Sequence, residues 1–330
     1  MTGATGFLGS RLTQRLVEEG YAVRALVRTR SDVRLLKNLG VDVAFGDLGD
    51  GPAVSDSVDG MEMVVHAGAG TSGLPLDCET ATILGTRNVL EACRRHPVRK
   101  LIYISSCSVY ELAGHAEDQV VTEEAQLERF PMRRGHYAAA KIQAEAFVTD
   151  AMTRARFPAV VLRPGTLFGP GGEIFTRMMG VSLARRLFVV FGNGKNELPL
   201  VHVDDAVDAI VECLRNRAAD GNVFNVVDPH PVTTKTYVER VIRPLYPGAM
   251  IIYCPMPLLR FLTLVQEKLL LAMGKRPFLT AYRLASSQKG VKYDTSRIER
   301  AIGWRPRVSF EQGAEQLVEL EKRAAGSTVL

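Results

Sequence analysis

A chain of 330 residues, 46% apolar and 23% charged, is long enough for one large α/β domain or for a nucleotide-binding domain with a smaller lobe. A net charge of +5, with basic pairs only at Arg94-Arg95, Arg133-Arg134 and Arg185-Arg186, leaves no footprint for nucleic acid. Five cysteines without a Cys-x-x-Cys pair and six histidines without a His-x-x-x-His pair exclude a disulfide scaffold and a zinc site. The expectation is a cytoplasmic protein with no bound metal. Arg260, Glu267 and Lys268 interrupt the longest apolar run, so no stretch reads as a membrane span.

From Met1 to about Phe168, short β-branched runs alternate with helical stretches. Strands are predicted at Ala22–Val27, Val41–Phe45, Met63–His66, Leu101–Ile104 and Ala159–Leu162, with helices between them such as Phe7–Glu19 and Thr82–Arg95. Apolar strands joined by helices predict a parallel sheet covered on both faces, and right-handed crossovers make it doubly wound.

The chain opens Thr2-Gly3-Ala4-Thr5-Gly6-Phe7-Leu8-Gly9, a G-x-x-G-x-x-G pattern at the mouth of a helix. A pyrophosphate must approach backbone N–H groups closely there, which a Cβ would prevent, and the helix adds its positive end. Gly3, Gly6, Phe7, Leu8 and Gly9 are therefore the expected phosphate-binding residues. Such a loop normally follows a central strand of about five residues. Only Met1 and Thr2 precede Gly3, so the first strand reads as truncated and this start as internal to a longer natural chain.

The second strand closes on Arg28, with Arg30 and Ser31 following. An acidic residue there would favour NAD(H) through the ribose hydroxyls, whereas a guanidinium suits a 2′-phosphate. NADP(H) is favoured on this ground, with NAD(H) the alternative. Asp47 and Leu48 end the third strand and can meet the adenine edge. Ala67, Gly68 and Ala69 end the fourth and let backbone pass close to a cofactor.

Tyr137-Ala138-Ala139-Ala140-Lys141 opens a helical run and places a phenol and an ammonium on one face. A cation about 5 Å away, at an effective dielectric near 20, is worth roughly 3 kcal/mol, or about two pKa units on the phenol. The strand before it runs into Ser105-Ser106-Cys107-Ser108. Ser106 is the expected partner for the same substrate oxygen, with Ser105 the second choice and Ser108 a turn hydroxyl.

After Gly169 helices dominate, with strands predicted near Leu187–Val190, Leu200–His202 and Val223–Val227. Residues 1–168 read as an NAD(P)-binding Rossmann domain, and residues 169–330 as a smaller α/β substrate lobe interleaved with it. Within the lobe, Pro257–Met273 carries a leucine-rich helical stripe. Burial in the lobe core is the preferred reading; a lid or a weak contact with a membrane surface is the sharper one. Ala324–Leu330 reads as a loose tail.

Taken in order, these segments resemble the extended short-chain dehydrogenase/reductases, the group that includes NAD(P)-dependent epimerases, dehydratases and 3β-hydroxysteroid dehydrogenases. Gly85–Ala92, Leu162–Gly171, Val201–Ala209 and Ala301-Ile302-Gly303-Trp304-Arg305-Pro306 complete the match. The resemblance implies a seven-stranded Rossmann sheet, a C-terminal substrate lobe, a Ser106–Tyr137–Lys141 active site and a homodimer. It also places Arg163, Pro164, Gly165 and Thr166 beside the nicotinamide. Thr82 stands where relatives often carry an asparagine, and Thr166 where sugar-nucleotide epimerases often do. Gly192–Asn196 and Val201–Asp205 look more like the hydroxysteroid-dehydrogenase branch. The expected activity is hydride transfer between nicotinamide and a secondary alcohol or ketone of a bulky, sterol-like or lipid-like small molecule. A nucleotide-sugar epimerase or dehydratase is the alternative, and a non-catalytic NADP sensor a third reading.

Overall fold

Apolar runs of four to six residues form the strands of one parallel sheet. The computed structural model describes residues 1–114, 119–275, 277 and 279–327. Across the sheet the order is Asp42–Phe45, Arg24–Val27, Met63–His66, Lys100–Ile104, Ala159–Pro164 and Val223–Val226, every adjacent pair parallel except across the place where a central strand would lie. Thr2 bridges that gap, pairing with Leu26 on one side and His66 on the other. Leu26 N donates to Met1 O and Thr2 N donates to Val65 O. The sheet has six described strands rather than the seven the resemblance implies, with Thr2 bridging the space between Arg24–Val27 and Met63–His66.

Both faces of the sheet are covered, which is why Lys100–Ile104 is buried at every position. Ile102 and Val160 point to one face and meet Leu12 and Leu16 of the Phe7–Glu18 helix and Ile210 of the Val203–Arg215 helix. Leu101, Tyr103 and Val161 point to the other, against Leu90, Ala144 and Val148 from the Gly85–Arg95 and His136–Arg154 helices. Each such side chain, fully buried, contributes roughly 1.5–3 kcal/mol. Lys100 joins the strand because its ammonium reaches Cys213 O, Asn216 O and Asp220 at the far end of the Val203–Arg215 helix.

Three further expectations change. Val223–Val226 is a strand of the main sheet, paired with Val161–Pro164, although it lies far along the chain. The predicted Thr82–Arg95 helix begins earlier, as a π-helical stretch over Cys78–Leu84 that runs into Gly85–Arg95. The last described helix continues from Phe310 to Ser327, so 324–327 are helical, and 328–330 lie outside the described residues.

The remaining elements pack around a second centre. Leu187–Phe191 pairs antiparallel with Gly180–Leu183 and parallel with Met250–Cys254. Phe188, Val190, Tyr237, Val241 and Phe310 fill the space beneath them. The segment after Gly303 is tied to the first centre: Trp304 Nε1 donates to Asp205 O at 3.1 Å, and Arg307 N donates to Asp205 Oδ1 at 2.8 Å.

The leucine-rich helix, Met256–Ala272, corrects the core-burial reading. Only Leu259 and Thr263 are buried. Leu258, Phe261, Leu262, Leu264, Val265, Leu269 and Leu271 are 47–62% exposed. The stripe keeps its helical spacing, but beyond the contact of Leu259 with Leu284 its apolar side chains are left exposed among the described residues. Among the described residues no helix is long and apolar enough to cross a membrane.

Candidate functional site

The parallel strands end on one side of the sheet, and a cleft of about 530 Å³ opens there. The three glycines of the first loop have three different reasons. Gly3 adopts φ +76°, and a Cβ on it would lie 2.7 Å from Ala67 C and Gly68 N. A Cβ on Gly9 would fall 1.9 Å from Gly3 O, so the helix could not seat against the loop. Gly6 has an ordinary φ of −82°, and nothing lies nearer to its missing Cβ than Gly3 O at 3.4 Å. The protein itself does not need glycine at position 6. A ligand approaching the first-turn N–H groups of Phe7–Glu18 does, because those groups have no intrahelical acceptor. The loop therefore fits a dinucleotide pyrophosphate.

A hydrogen-bonded chain fixes the floor. Gly68 N donates to Thr2 Oγ1 at 3.0 Å, and Thr2 Oγ1 lies 2.7 Å from His66 Nδ1. His66 Nε2 lies 3.0 Å from Thr86 Oγ1, which itself donates to Thr82 O at 2.6 Å. Thr86 has spent its proton, so His66 donates from Nε2 and accepts from Thr2 at Nδ1. Burial, helped by the Lys141 charge, pulls His66 down to about 3, and the ring is neutral. Thr82, at the position where the resemblance would put an asparagine, accepts from Gly70 N at 2.9 Å and holds the loop after Ala69.

The far wall carries the polar side chains. Ser106, Tyr137 and Lys141 all line the cleft. Ser106 Oγ accepts from Ser108 N at 3.1 Å, which stations the serine at the end of its strand. Burial raises the Tyr137 phenol, and a hydrogen bond with Ser106 acts against that rise. This reverses the direction expected from a nearby cation: in the protein alone, desolvation outweighs the other influences on the phenol. Lys141 donates to Ile104 O at 2.7 Å, with its Nζ 5.2 Å from the Tyr103 ring centre. Burial lowers its ammonium to about 8.

Of the expected binding residues, Gly3, Gly6, Phe7, Leu8, Gly9, Arg28, Asp47, Leu48, Ala67, Gly68, Ala69, Pro164 and Gly165 also line the cleft. Arg28 is exposed there beside Ser31, and no carboxylate pairs with it among the described residues. Thr166 does not line it. Its amide donates to Pro199 O at 2.6 Å within a strand paired to Leu200–His202, and alternation turns the next residue, Leu167, into the wall instead. Ser105 lines the cleft too, but its hydroxyl is bonded to Glu145. Sequence reasoning missed Thr5, Thr71, Ala81, Ile104 and Leu167, which carry no residue-type signal, and Glu145, whose one clue was its place one turn after Lys141.

Comparison with known proteins defines the class. Residues 1–226 match the NAD dependent epimerase/dehydratase family, and the chain belongs to that family. It is an NAD(P)-dependent enzyme of the extended short-chain dehydrogenase/reductase type. The chain is 29% identical to a 2-alkyl-3-oxoalkanoate reductase of Stenotrophomonas maltophilia over 96% of its own length and 97% of the relative's. It is 27% identical, over 96% and 94%, to a 4-hydroxy-2-methyl-3-oxo-4-farnesyl-3,4-dihydroquinoline-1-oxide ketoreductase of Stigmatella aurantiaca. Its fold is that of a UDP-glucose 4-epimerase from Thermotoga maritima, with a TM-score of 0.76 at 21% identity over 98% of each chain.

Proposed function

We propose that this protein transfers hydride between NADP(H) and a ketone or secondary alcohol of a bulky, largely apolar small molecule. The observation that carries the proposal is the convergence of Ser106, Tyr137 and Lys141 in the same cleft as the phosphate loop. Ser106 and Tyr137 share the substrate oxygen, Tyr137 gives or takes its proton, and Lys141 holds the phenol's charge. Gly3, Gly6 and the N–H groups of Phe7, Leu8 and Gly9 hold the pyrophosphate. Asp47 and Leu48 face the adenine, Ala67–Ala69 form the floor, and Pro164 and Gly165 flank the nicotinamide. When bound, the nicotinamide supplies the hydride acceptor or donor. The exposed Arg28 guanidinium, which has no carboxylate partner among the described residues, supports a 2′-phosphate and hence NADP(H) over NAD(H).

We read residues 1–168 as the dinucleotide unit and 169–330 as the substrate lobe interleaved with it, acting as a homodimer in the cytoplasm; the five free cysteines fit a reducing compartment. The substrate class follows the two relatives named above, both called reductases of oxo compounds. The exposed flank of Met256–Ala272 fits the surface of an anionic bilayer, since Arg260 and Lys268 stand exposed among its apolar residues while Glu267 is engaged by Ala281 N.

The test is a panel of 3-oxoalkanoates, sterol ketones and UDP-sugars, followed by NADPH absorbance. Oxidation of NADPH with a ketone supports the reading. Epimer formation from a UDP-sugar without net NADPH change overturns it in favour of the epimerase alternative. Tyr137→Phe should lower turnover about 10²–10⁴-fold with cofactor affinity kept, and Arg28→Asp should move preference toward NAD(H). A Tyr137→Phe protein with normal turnover sinks the assignment.

A further inference from the structure

Behind the reacting face lies a carboxylate that the proposed reaction does not use. Glu145 is 1% exposed and sits one helical turn beyond Lys141. Arg163 Nε lies 3.1 and 3.2 Å from its two oxygens, and Arg163 Nη2 also bonds to Oε1. Ser105 Oγ donates to Oε2. One carboxylate thus joins the Tyr137 helix, the end of the Lys100–Ile104 strand and the Ala159–Pro164 strand, the three elements that carry the reacting wall. Arg163 continues the network: Nη1 donates to Tyr110 Oη at 2.8 Å and to Glu123 O at 3.0 Å, and Tyr110 donates to Asn225 Oδ1 at 2.5 Å.

A buried ion pair is a weak source of stability, because desolvating both charges offsets their attraction, and apolar replacements are often as stable. Stability alone does not account for this one. Its location does, given the reading of Tyr137 and Lys141 as the proton-handling pair, on which this inference rests. We propose that Glu145 is the positioning residue of the reaction: it anchors Ser105 so that Ser106 faces Tyr137, and it places a buried negative charge one helical turn from Lys141, whose ammonium is held on Ile104 O next to Ser105.

The other groups around Lys141 cannot supply that charge. On its own helix, burial raises the Tyr137 phenol, with Ser106 acting against the rise. From the neighbouring strands, Tyr103 is raised well above its ordinary value by burial and His66 is neutral. Farther out, Cys78, which acts on Tyr137, and Cys107, which lies near Glu145, are both raised by burial. Glu145 acts against the burial that pulls Lys141 down, and Arg163 neutralises Glu145 from its far side.

The test needs no substrate. In protein labelled with ¹³C at lysine Cε, the Lys141 resonance, assigned with Lys141→Met, is titrated by NMR. Glu145→Gln should move the midpoint down by roughly one unit or more, since it removes that buried charge and uncovers Arg163. Glu145→Asp should keep it near the parent value. Glu145→Gln can fail to fold, because Arg163 is then buried unpaired. Glu145→Gln/Arg163→Met avoids that, and its midpoint should still fall below the parent's. A Lys141 midpoint unchanged in folded Glu145→Gln, or in Glu145→Gln/Arg163→Met, overturns the proposal. The titration is read apart from turnover, so a wrong substrate class leaves its outcome intact. With an active ketone in hand, the alkaline limb of kcat/KM should move to lower pH in the same variants.

Discussion

Two helices of this chain carry the same kind of apolar periodicity to opposite ends. In Val203–Arg215, Val203, Ala206, Val207, Ile210, Val211 and Leu214 are all 7% exposed or less, pressed between the sheet and the Trp304 segment. In Met256–Ala272, Phe261, Leu269 and Leu271 are 58–62% exposed. Spacing states which side chains share a face. Whether that face is buried depends on what stands opposite, and only the first helix has the sheet.

The largest expected difference is in stability. Ile210→Ala should cost about 2–5 kcal/mol in denaturant unfolding, since it opens a cavity in a close-packed layer. A loss below about 1 kcal/mol would show that this layer can collapse around the gap, and would weaken the contrast.

A smaller, pH-dependent effect belongs to the same helix. Burial raises Asp205 to about 6, although backbone N–H groups of Arg307 and Val308 act against the rise. The folded state therefore binds more protons than the unfolded state between about pH 4 and 6. Asp205 favours the folded state most below pH 4, and that contribution is lost as pH rises through 6. Asp205→Asn should flatten this segment of the stability–pH curve relative to the parent. A difference curve with no slope there would mean that Asp205 titrates normally.

The smallest change in stability is expected at the exposed helix. Phe261→Ser should alter unfolding by no more than about 0.5 kcal/mol. Its effect should appear instead in co-sedimentation with phosphatidylglycerol vesicles, which the parent should bind and Phe261→Ser/Leu269→Ser should not. Equal sedimentation of both proteins would remove the bilayer as the partner of this face.

Most of the sheet, and the meeting of the glycine loop with Tyr137 and Lys141 at one cleft, was legible because the signals are local: apolar runs, glycine spacing, and a Tyr–Lys pair on one helix face. What escaped was decided by partners distant in sequence. Thr82 was read by its difference from an asparagine, yet its role follows from Gly70 lying within reach of its hydroxyl. Thr166 was expected in the cleft, and its pairing with the Leu200 segment set which neighbour faces inward. Glu145 looked like one charge among many on a helix, because Arg163 and Ser105 are brought to it only by the fold. The Tyr137 phenol was expected to fall by proximity to a cation; depth of burial, which no spacing reports, outweighed it.

The return of Val223–Val226 to the main sheet has a consequence for synthesis. Its partner strand ends at Pro164, so roughly sixty residues separate the two. At 5–20 residues per second a ribosome needs about 3–12 s to deliver them. Throughout that interval the Ala159–Pro164 strand offers an unpaired edge, the kind of surface on which nascent chains join one another. A fragment ending at residue 168 would hold that edge open permanently. A sheet begun in the first half of the chain is completed from within the second, so the Ala159–Pro164 strand gains its last neighbour only after Val226 has been made.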